Sequence, residues 1–185
     1  FRAEQAPGPL RDRLAADVEE MDALIAQAMA YVRGETRLSP PEPVDLTALV
    51  ADCVRGFAET GHAATLGSAP PVKIPGHPTS LRRALTNLIA NAVHYGGQAE
   101  VSLAQTPDRV LVHIRDTGPG IAPDRMEEVF QPFVRLEGSR NRATGGVGLG
   151  LAVARQIARA HGGDVTLSNR ATGGLQATLS LPTTG

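Results

Sequence analysis

The stretch Gly145-Gly146-Val147-Gly148-Leu149-Gly150-Leu151-Ala152-Val153-Ala154-Arg155 sets four glycines directly before an apolar, helix-like run. Glycine costs a helix about 1 kcal/mol relative to alanine, so a helix that opens this way needs a reason. Two readings fit the run alone. One is a surface loop leading into an ordinary helix; the other is a cradle in which bare N–H groups and a helix N-terminus meet a phosphate. The run also excludes two nucleotide-binding motifs. No Gly-Lys-Ser/Thr follows, as a Walker A loop requires, and no strand immediately precedes it, as the dinucleotide fingerprint requires.

Working outward, the helix begun by the glycines is expected to run to about Ala160, where Gly162-Gly163 stops it. Val165 and Leu167, then Leu175, Ala177, Leu179 and Leu181, alternate as a strand pair around Ala171-Thr172-Gly173-Gly174. Upstream, Val101 and Leu103, then Val110, Val112 and Ile114, alternate as two strands across the Thr106-Pro107-Asp108 turn. Leu46, Leu49, Val50, Cys53, Val54 and Phe57 form a helical stripe capped by Asp45, and Leu81, Ala84, Leu85, Leu88, Ile89 and Ala92 form another. A short helix is expected over Asp124–Val129, after Pro123. Strands joined as hairpins imply a mixed, mainly antiparallel sheet, and the helices fall on one face of it. The fold class expected is α+β, a two-layer α/β sandwich, and not a doubly wound nucleotide fold.

The first 38 residues differ from the rest. Pro7-Gly8-Pro9 is a break, after which Leu14, Val18, Met21, Ile25, Ala28 and Val32 recur by fours and threes. The stripe fits a helix packed on its own domain, but a 3.5-residue period favours an intermolecular or hairpin coiled-coil seam. Gly34 ends the helix, and residues 39–43, Ser39-Pro40-Pro41-Glu42-Pro43, read as a stiff linker into a domain over 44–185.

Composition narrows the functional classes. The chain has 185 residues and a net charge of -1, which gives no support to a nucleic-acid partner held by bulk charge. One cysteine, Cys53, excludes an internal disulfide and reads as a small core residue. No apolar run approaches the roughly 20 residues that cross a bilayer. The opening Phe1-Arg2-Ala3-Glu4-Gln5 carries no signal-peptide pattern and reads as the middle of a longer protein.

Three polar features converge on the glycine run. In Asn87-Leu88-Ile89-Ala90-Asn91-Ala92-Val93-His94-Tyr95 the two asparagines share a helix face beside the buried stripe, which suits amides presented to something polar and equally a chance pairing on a helix surface. In Asp116-Thr117-Gly118-Pro119-Gly120-Ile121 a carboxylate ends a strand, and glycines leave room for a flat ligand against the backbone; the same residues also make good turn chemistry. From Phe130 to Thr144, Phe130 and Phe133 precede a polar segment with Arg135, Arg140 and Arg142, as in a lid over a phosphorylated ligand pinned by aromatics at one end and glycines at the other; each arginine alone also fits a solvated loop.

Taken in order, Asn-x-x-x-Asn, Asp-x-Gly-x-Gly, Phe-x-x-Phe and Gly-x-Gly-x-Gly resemble the ATP-binding domain of sensor histidine kinases, in the larger group with gyrase, Hsp90 and MutL. The resemblance covers residues 44 to 182. Residues 1 to 38 resemble part of the kinases' dimerisation and histidine-phosphotransfer hairpin, mostly its second helix. The glycine run then corresponds to the hinge of the ATP lid.

The resemblance implies ATP and Mg²⁺ as cofactors and assigns roles by position. Asp116 would accept the exocyclic amine proton of adenine, Gly118 and Gly120 would leave space for the ring, and Ile121 would cover it. Asn91 would be the Mg²⁺ ligand, as a hard amide oxygen can be. Asn87 would contact phosphates or the metal's waters, and Tyr95 would pack along the base. Gly146, Val147, Gly148, Leu149 and Gly150 would line the triphosphate, and Thr178 would reach the adenine through a water. His94 would stand near the phosphates, and Arg135, Arg140 or Arg142 would supply the cationic charge that a Lys or Arg gives there in the family.

An amide cannot act as a general base, so Asn87, where the gyrase-like ATPases have a water-activating glutamate, favours phosphoryl transfer over hydrolysis. The expected function is transfer of the γ-phosphoryl to a histidine and thence to a response-regulator aspartate. The alternatives are a non-catalytic ATP-binding regulatory module and a gyrase- or Hsp90-like ATPase. Expected partners are a response-regulator receiver domain and, in the full-length protein, a second copy; the fragment is expected in the cytoplasm, its parent anchored in the membrane. Two positions depart from the family. His94 stands where Lys or Arg is usual, and His77 where an acidic cap is common. The family's acceptor histidine is followed by an acidic residue, whereas the five here precede Ala63, Pro78, Tyr95, Ile114 and Gly162. The acceptor is therefore expected upstream of Phe1.

Overall fold

The computed structural model describes residues 40–136 and 148–183, all within the compact unit Leu38–Gly185. The coiled-coil seam of the first 38 residues, Arg140, Arg142, Gly146 and Val147 lie outside the described residues.

Asp45 starts helix α1 (Leu46–Glu59) as expected: its extended backbone turns into the helix and its carboxylate accepts the Ala48 N–H at 2.9 Å. The apolar stripe Leu46, Leu49, Val50, Cys53 and Val54 is buried; Phe57 is only half-buried. Helix α2 (Pro78–Gly96) opens with proline, whose missing N–H is no loss there, and closes on left-handed Gly97, whose N–H returns to the Val93 carbonyl at 2.9 Å. It buries Leu81, Ala84, Leu85, Leu88, Ile89 and Ala92. Fully burying a leucine or isoleucine stabilises a fold by roughly 1.5–3 kcal/mol, so this face is the main anchor of α2. Helix α3 (Gly150–Ala160) buries Ala152, Val153, Ala154, Ile157 and Ala158.

Below the helices lies a five-stranded sheet of order β2-β4-β5-β7-β6, made of Ala63–Leu66, Gln98–Gln105, Arg109–Arg115, Leu175–Pro182 and Asp164–Asn169. Strand β2 runs parallel to β4 and every other pairing is antiparallel. The expected hairpins form in register, with Val101 opposite Ile114, Leu103 opposite Val112 and Leu167 opposite Ala177. The buried residues of β4, β5 and β7 alternate with polar ones, so the sheet has one face under the helices and one open polar face. This is the mixed, mainly antiparallel α+β sandwich expected from the sequence.

Two local expectations are corrected. Residues 39–43 were expected to be linker, yet Glu42 and Pro43 begin strand β1 (Glu42–Asp45), which pairs with β3 (Lys73–Gly76) in a separate two-stranded sheet. Pro43 faces Pro75 in that register, an arrangement tolerated because a two-stranded pair is all edge. Asp124–Val129 forms no α-helix but two 3-10 turns, Pro123–Arg125 and Glu128–Phe130. Pro123 and Pro132 leave too few residues between them to repay helix nucleation.

His161, at the C-terminal end of α3, ties α3 to the start of α2. Its Nδ1–H donates to the Ile157 carbonyl at 2.8 Å, and its Nε2 accepts the His77 N–H at 3.1 Å. As expected, His77 itself provides no side-chain cap for α2.

Candidate functional site

The predicted polar residues come from three places that the fold brings near one another: the second half of α2, the loop after β5, and the start of α3. Asn87 and Asn91 lie half-buried on one face of α2, and neither amide bonds to another described residue. Gly150, the first residue of α3, faces them. A Cβ built there would lie 3.6 Å from both Asn91 amide atoms and 3.9 Å from the Asn87 Cβ. Leu149, before it, is buried and provides no side-chain cap, so the first N–H groups of α3 lack that partner. Uncapped N–H groups beside two amides suit an anion with its cation. Gly148 has φ 77°, and its carbonyl accepts the Phe133 N–H at 3.1 Å, which joins the two sides of residues 134–147 through one backbone bond.

At the other end is Asp116, the one buried charged residue among those described, 6% exposed. Its Oδ1 accepts the Gly118 N–H at 2.8 Å and the Leu175 N–H at 3.1 Å. Its own N–H donates to the Leu175 carbonyl at 2.9 Å. No described residue donates to Oδ2, so one carboxylate oxygen keeps its lone pairs. Gly118 lies against α2, with its would-be Cβ 2.7 Å from the Tyr95 carbonyl, and Thr117 Oγ1 donates to the Gly96 carbonyl at 3.1 Å. Gly120 takes φ 73° beside Asn169, and Ile121 is half-buried. Tyr95 and His94 are exposed and stack edge to face, ring centroids 4.5 Å apart. Arg135 is also exposed.

Two expectations fail here. Thr178 is not on the Asp116 side of the sheet. Ala177 and Leu179 flank it under the helices, so strand alternation turns Thr178 to the open face, where its hydroxyl meets His113 Nδ1 at 3.1 Å and Gln176 Nε2 at 3.3 Å. Of the two expected aromatic pins, only Phe130 is buried; Phe133 is 62% exposed with φ 67°. Phe130 carries the Arg155 guanidinium 4.2 Å above its ring. Arg155 also pairs with Glu127 at 2.6 Å and Asp164 at 2.8 Å. Burial pushes the Asp164 carboxyl up, but Arg155, Arg159 and the Val165 N–H outweigh it and hold it at about 2.

Sequence reasoning missed Gly96, Asn169 and Arg170. Asn169 bonds the Ile121 backbone twice, accepting its N–H at 2.9 Å and donating to its carbonyl at 2.7 Å. Arg170 Nη1 donates to the Asp116 carbonyl at 2.7 Å. Side chains that serve another segment's backbone leave no spacing signal. The glycine pair Gly173-Gly174 beside them was the nearest available clue.

The chain is similar to known proteins over most of its length. The family model described as histidine kinase-, DNA gyrase B-, and HSP90-like ATPase matches residues 76–185. Sensor histidine kinase GtrS of Pseudomonas aeruginosa is 37% identical over 176 residues, which are 95% of this chain and 36% of GtrS. Sensor protein RstB of Escherichia coli is 37% identical over 180 residues, 90% of this chain and 40% of RstB. The chain thus spans less than half the length of these relatives. Among solved structures, the ATP binding domain of PrrB from Mycobacterium tuberculosis is 32% identical, with a TM-score of 0.65 over 78% of this chain and 98% of that one.

Proposed function

The chain belongs to the histidine kinase-, DNA gyrase B- and HSP90-like ATPase family, and on that premise we propose that it is the catalytic ATP-binding part of a sensor histidine kinase. It passes the γ-phosphoryl of ATP to a histidine of the parent protein, from which a response-regulator aspartate receives it. The observation that carries this reading is the meeting of Gly150 with Asn91, which sets the uncapped start of α3 against an amide pair. A triphosphate there meets N–H donors on one side and amide oxygens on the other.

Asp116 holds the base end. Its fixed carboxylate keeps one oxygen for the adenine amine, and Ile121 covers the ring. Asn91 holds Mg²⁺; the amide has no described competitor, and Mg²⁺ takes one or two protein ligands beside phosphate oxygens and water. When bound, the metal offsets phosphate charge. Asn87 orients phosphates or metal-bound water and takes no proton, so this side chain offers no general base for hydrolysis. Tyr95 flanks the base, Gly146, Val147, Gly148, Leu149 and Gly150 line the phosphates, and His94 and Arg135 stand near the γ-phosphoryl. Catalysis is then mostly positioning of the phosphoryl group for an in-line nucleophile.

The acceptor histidine and the dimerising hairpin belong to the parent, with 1–38 its partial second helix and the ATP-binding domain beginning with strand β1 at Glu42. Among the described residues no helix is long and apolar enough to cross a membrane; the fragment works on the cytoplasmic side of a membrane-anchored parent. The test is to supply an acceptor-helix peptide in trans with Mg-ATP and follow phosphate on it. Acid-labile, base-stable phosphate is expected. ATP binding without any transfer contradicts the kinase reading.

A further inference from the structure

Both backbone polar groups of Asp116 are held from one side. Leu175, the first residue of β7, supplies its N–H to Oδ1 and its carbonyl to the Asp116 N–H, and Arg170, in the turn before it, donates Nη1 to the Asp116 carbonyl. Gly174 packs so closely that a Cβ on it would lie 2.8 Å from the Asp116 carbonyl carbon. One residue before Arg170, the Asn169 amide clamps the Ile121 backbone through both its N–H and its carbonyl. The two side chains therefore grip the first and last residues of the segment Asp116–Ile121. Between the grips lie Thr117, whose hydroxyl reaches the Gly96 carbonyl, and then Gly118, Pro119 and Gly120, which have little side chain of their own to fix the loop.

We propose that Arg170 and Asn169 are positioning residues that set the preference for adenine over guanine by bracing the Asp116–Ile121 backbone. The inference rests on the reading of Asp116 as the group that meets the base. Adenine offers an amine donor where guanine offers a carbonyl acceptor. A carboxylate oxygen rejects guanine only while it is held where it must face that acceptor. If the brace is removed, the carboxylate can turn or withdraw, and the penalty against guanine falls. Arg170 donates a charge-assisted bond from a planar fork, and Asn169 makes a two-bond amide clamp, so each loss is felt as lost direction of the loop.

The test measures the affinity of the whole chain for ATP and for GTP, both with magnesium, in the wild type, Arg170→Met, Arg170→Lys and Asn169→Asp. Circular dichroism checks the fold of each variant. Arg170→Met keeps the apolar stem and removes the donor; the ATP-to-GTP affinity ratio is expected to fall about tenfold or more, the loss coming mainly from ATP. Arg170→Lys, which can still donate to the Asp116 carbonyl, is expected to recover most of the ratio. Asn169→Asp keeps the acceptor for the Ile121 N–H but loses the donor to its carbonyl, and the ratio is expected to fall; it decides the matter if Arg170→Met does not fold. Unchanged ratios, or equal loss of both affinities, in folded variants overturn the positioning role alone. A wild type that shows no preference for ATP removes the reading of Asp116, and this role with it.

Discussion

Gly96 and Asp116 touch where the last turn of α2 meets the end of β5: a Cβ on the glycine would lie 2.8 Å from the aspartate's carboxyl carbon. Asp116 cannot step aside, because its N–H, carbonyl and Oδ1 are all bonded to neighbours. One methyl group at residue 96 therefore moves either the helix or the carboxylate. Gly96→Ala is expected to cost about 1–3 kcal/mol of stability, the usual range for overpacking, and to weaken ATP binding. Urea unfolding and calorimetry check the two effects.

Asp116→Asn separates the structural use of this residue from its use toward ligand. The amide oxygen can still accept from Gly118 and Leu175, but the other carboxylate oxygen becomes an NH₂ donor. The fold should survive while ATP affinity falls by about 1.5–3 kcal/mol, the value of a hydrogen bond to a charged group. Titration with ATP and thermal unfolding on the same sample make the comparison.

Asn91→Ala removes the amide that faces Gly150. The account expects the magnesium-dependent part of ATP binding to disappear, with little change in stability because the amide bonds to no other described residue. Calorimetry with and without magnesium reads this as loss of the difference between the two titrations.

His161 gives the fold a pH dependence whose sign is fixed by its partners. Burial depresses its pKa below the ordinary 6.5; the Ile157 carbonyl opposes this, and nearby His77 adds to it. Protonation would also put a proton on Nε2, which accepts the His77 N–H. The unfolded chain therefore takes up the proton first as pH falls through about 6.5. The stabilising contribution is full above that pH and is lost below it, as pH falls toward the folded-state value. Unfolding at pH 7.5 and 5.5 should show a loss that is smaller in His161→Gln.

How legible this was in the sequence depended on the kind of signal. Asp45 and the α1 stripe, the α2 stripe, and the β4–β5 and β6–β7 pairs obey simple periods, and each appears where those periods place it. Strands β1 and β3 stayed hidden because Pro43, Pro75 and Gly76 erase the alternating pattern, and β2 is four residues paired only along one edge. Thr178 was assigned by resemblance, against the alternation of its own strand. It lies one residue from Ala177 and Leu179, and in a strand one residue is the difference between faces. Arg170 and Asn169 act on backbone atoms about 50 residues away in sequence, a relation no local pattern encodes. Phe133 carried an aromatic signal but sits exposed at a positive φ, so residue type alone pointed the wrong way.

The central claim is that α2, the Asp116–Ile121 loop and the start of α3 together receive a purine nucleotide with its metal. Isothermal calorimetry of the folded chain with ATP and with ADP, each with and without magnesium, addresses it most directly. The account predicts saturable binding of both nucleotides, tighter for ATP when magnesium is present. Folded protein that gives no binding heat and no competition against a fluorescent ATP analogue under any of the four conditions would contradict it.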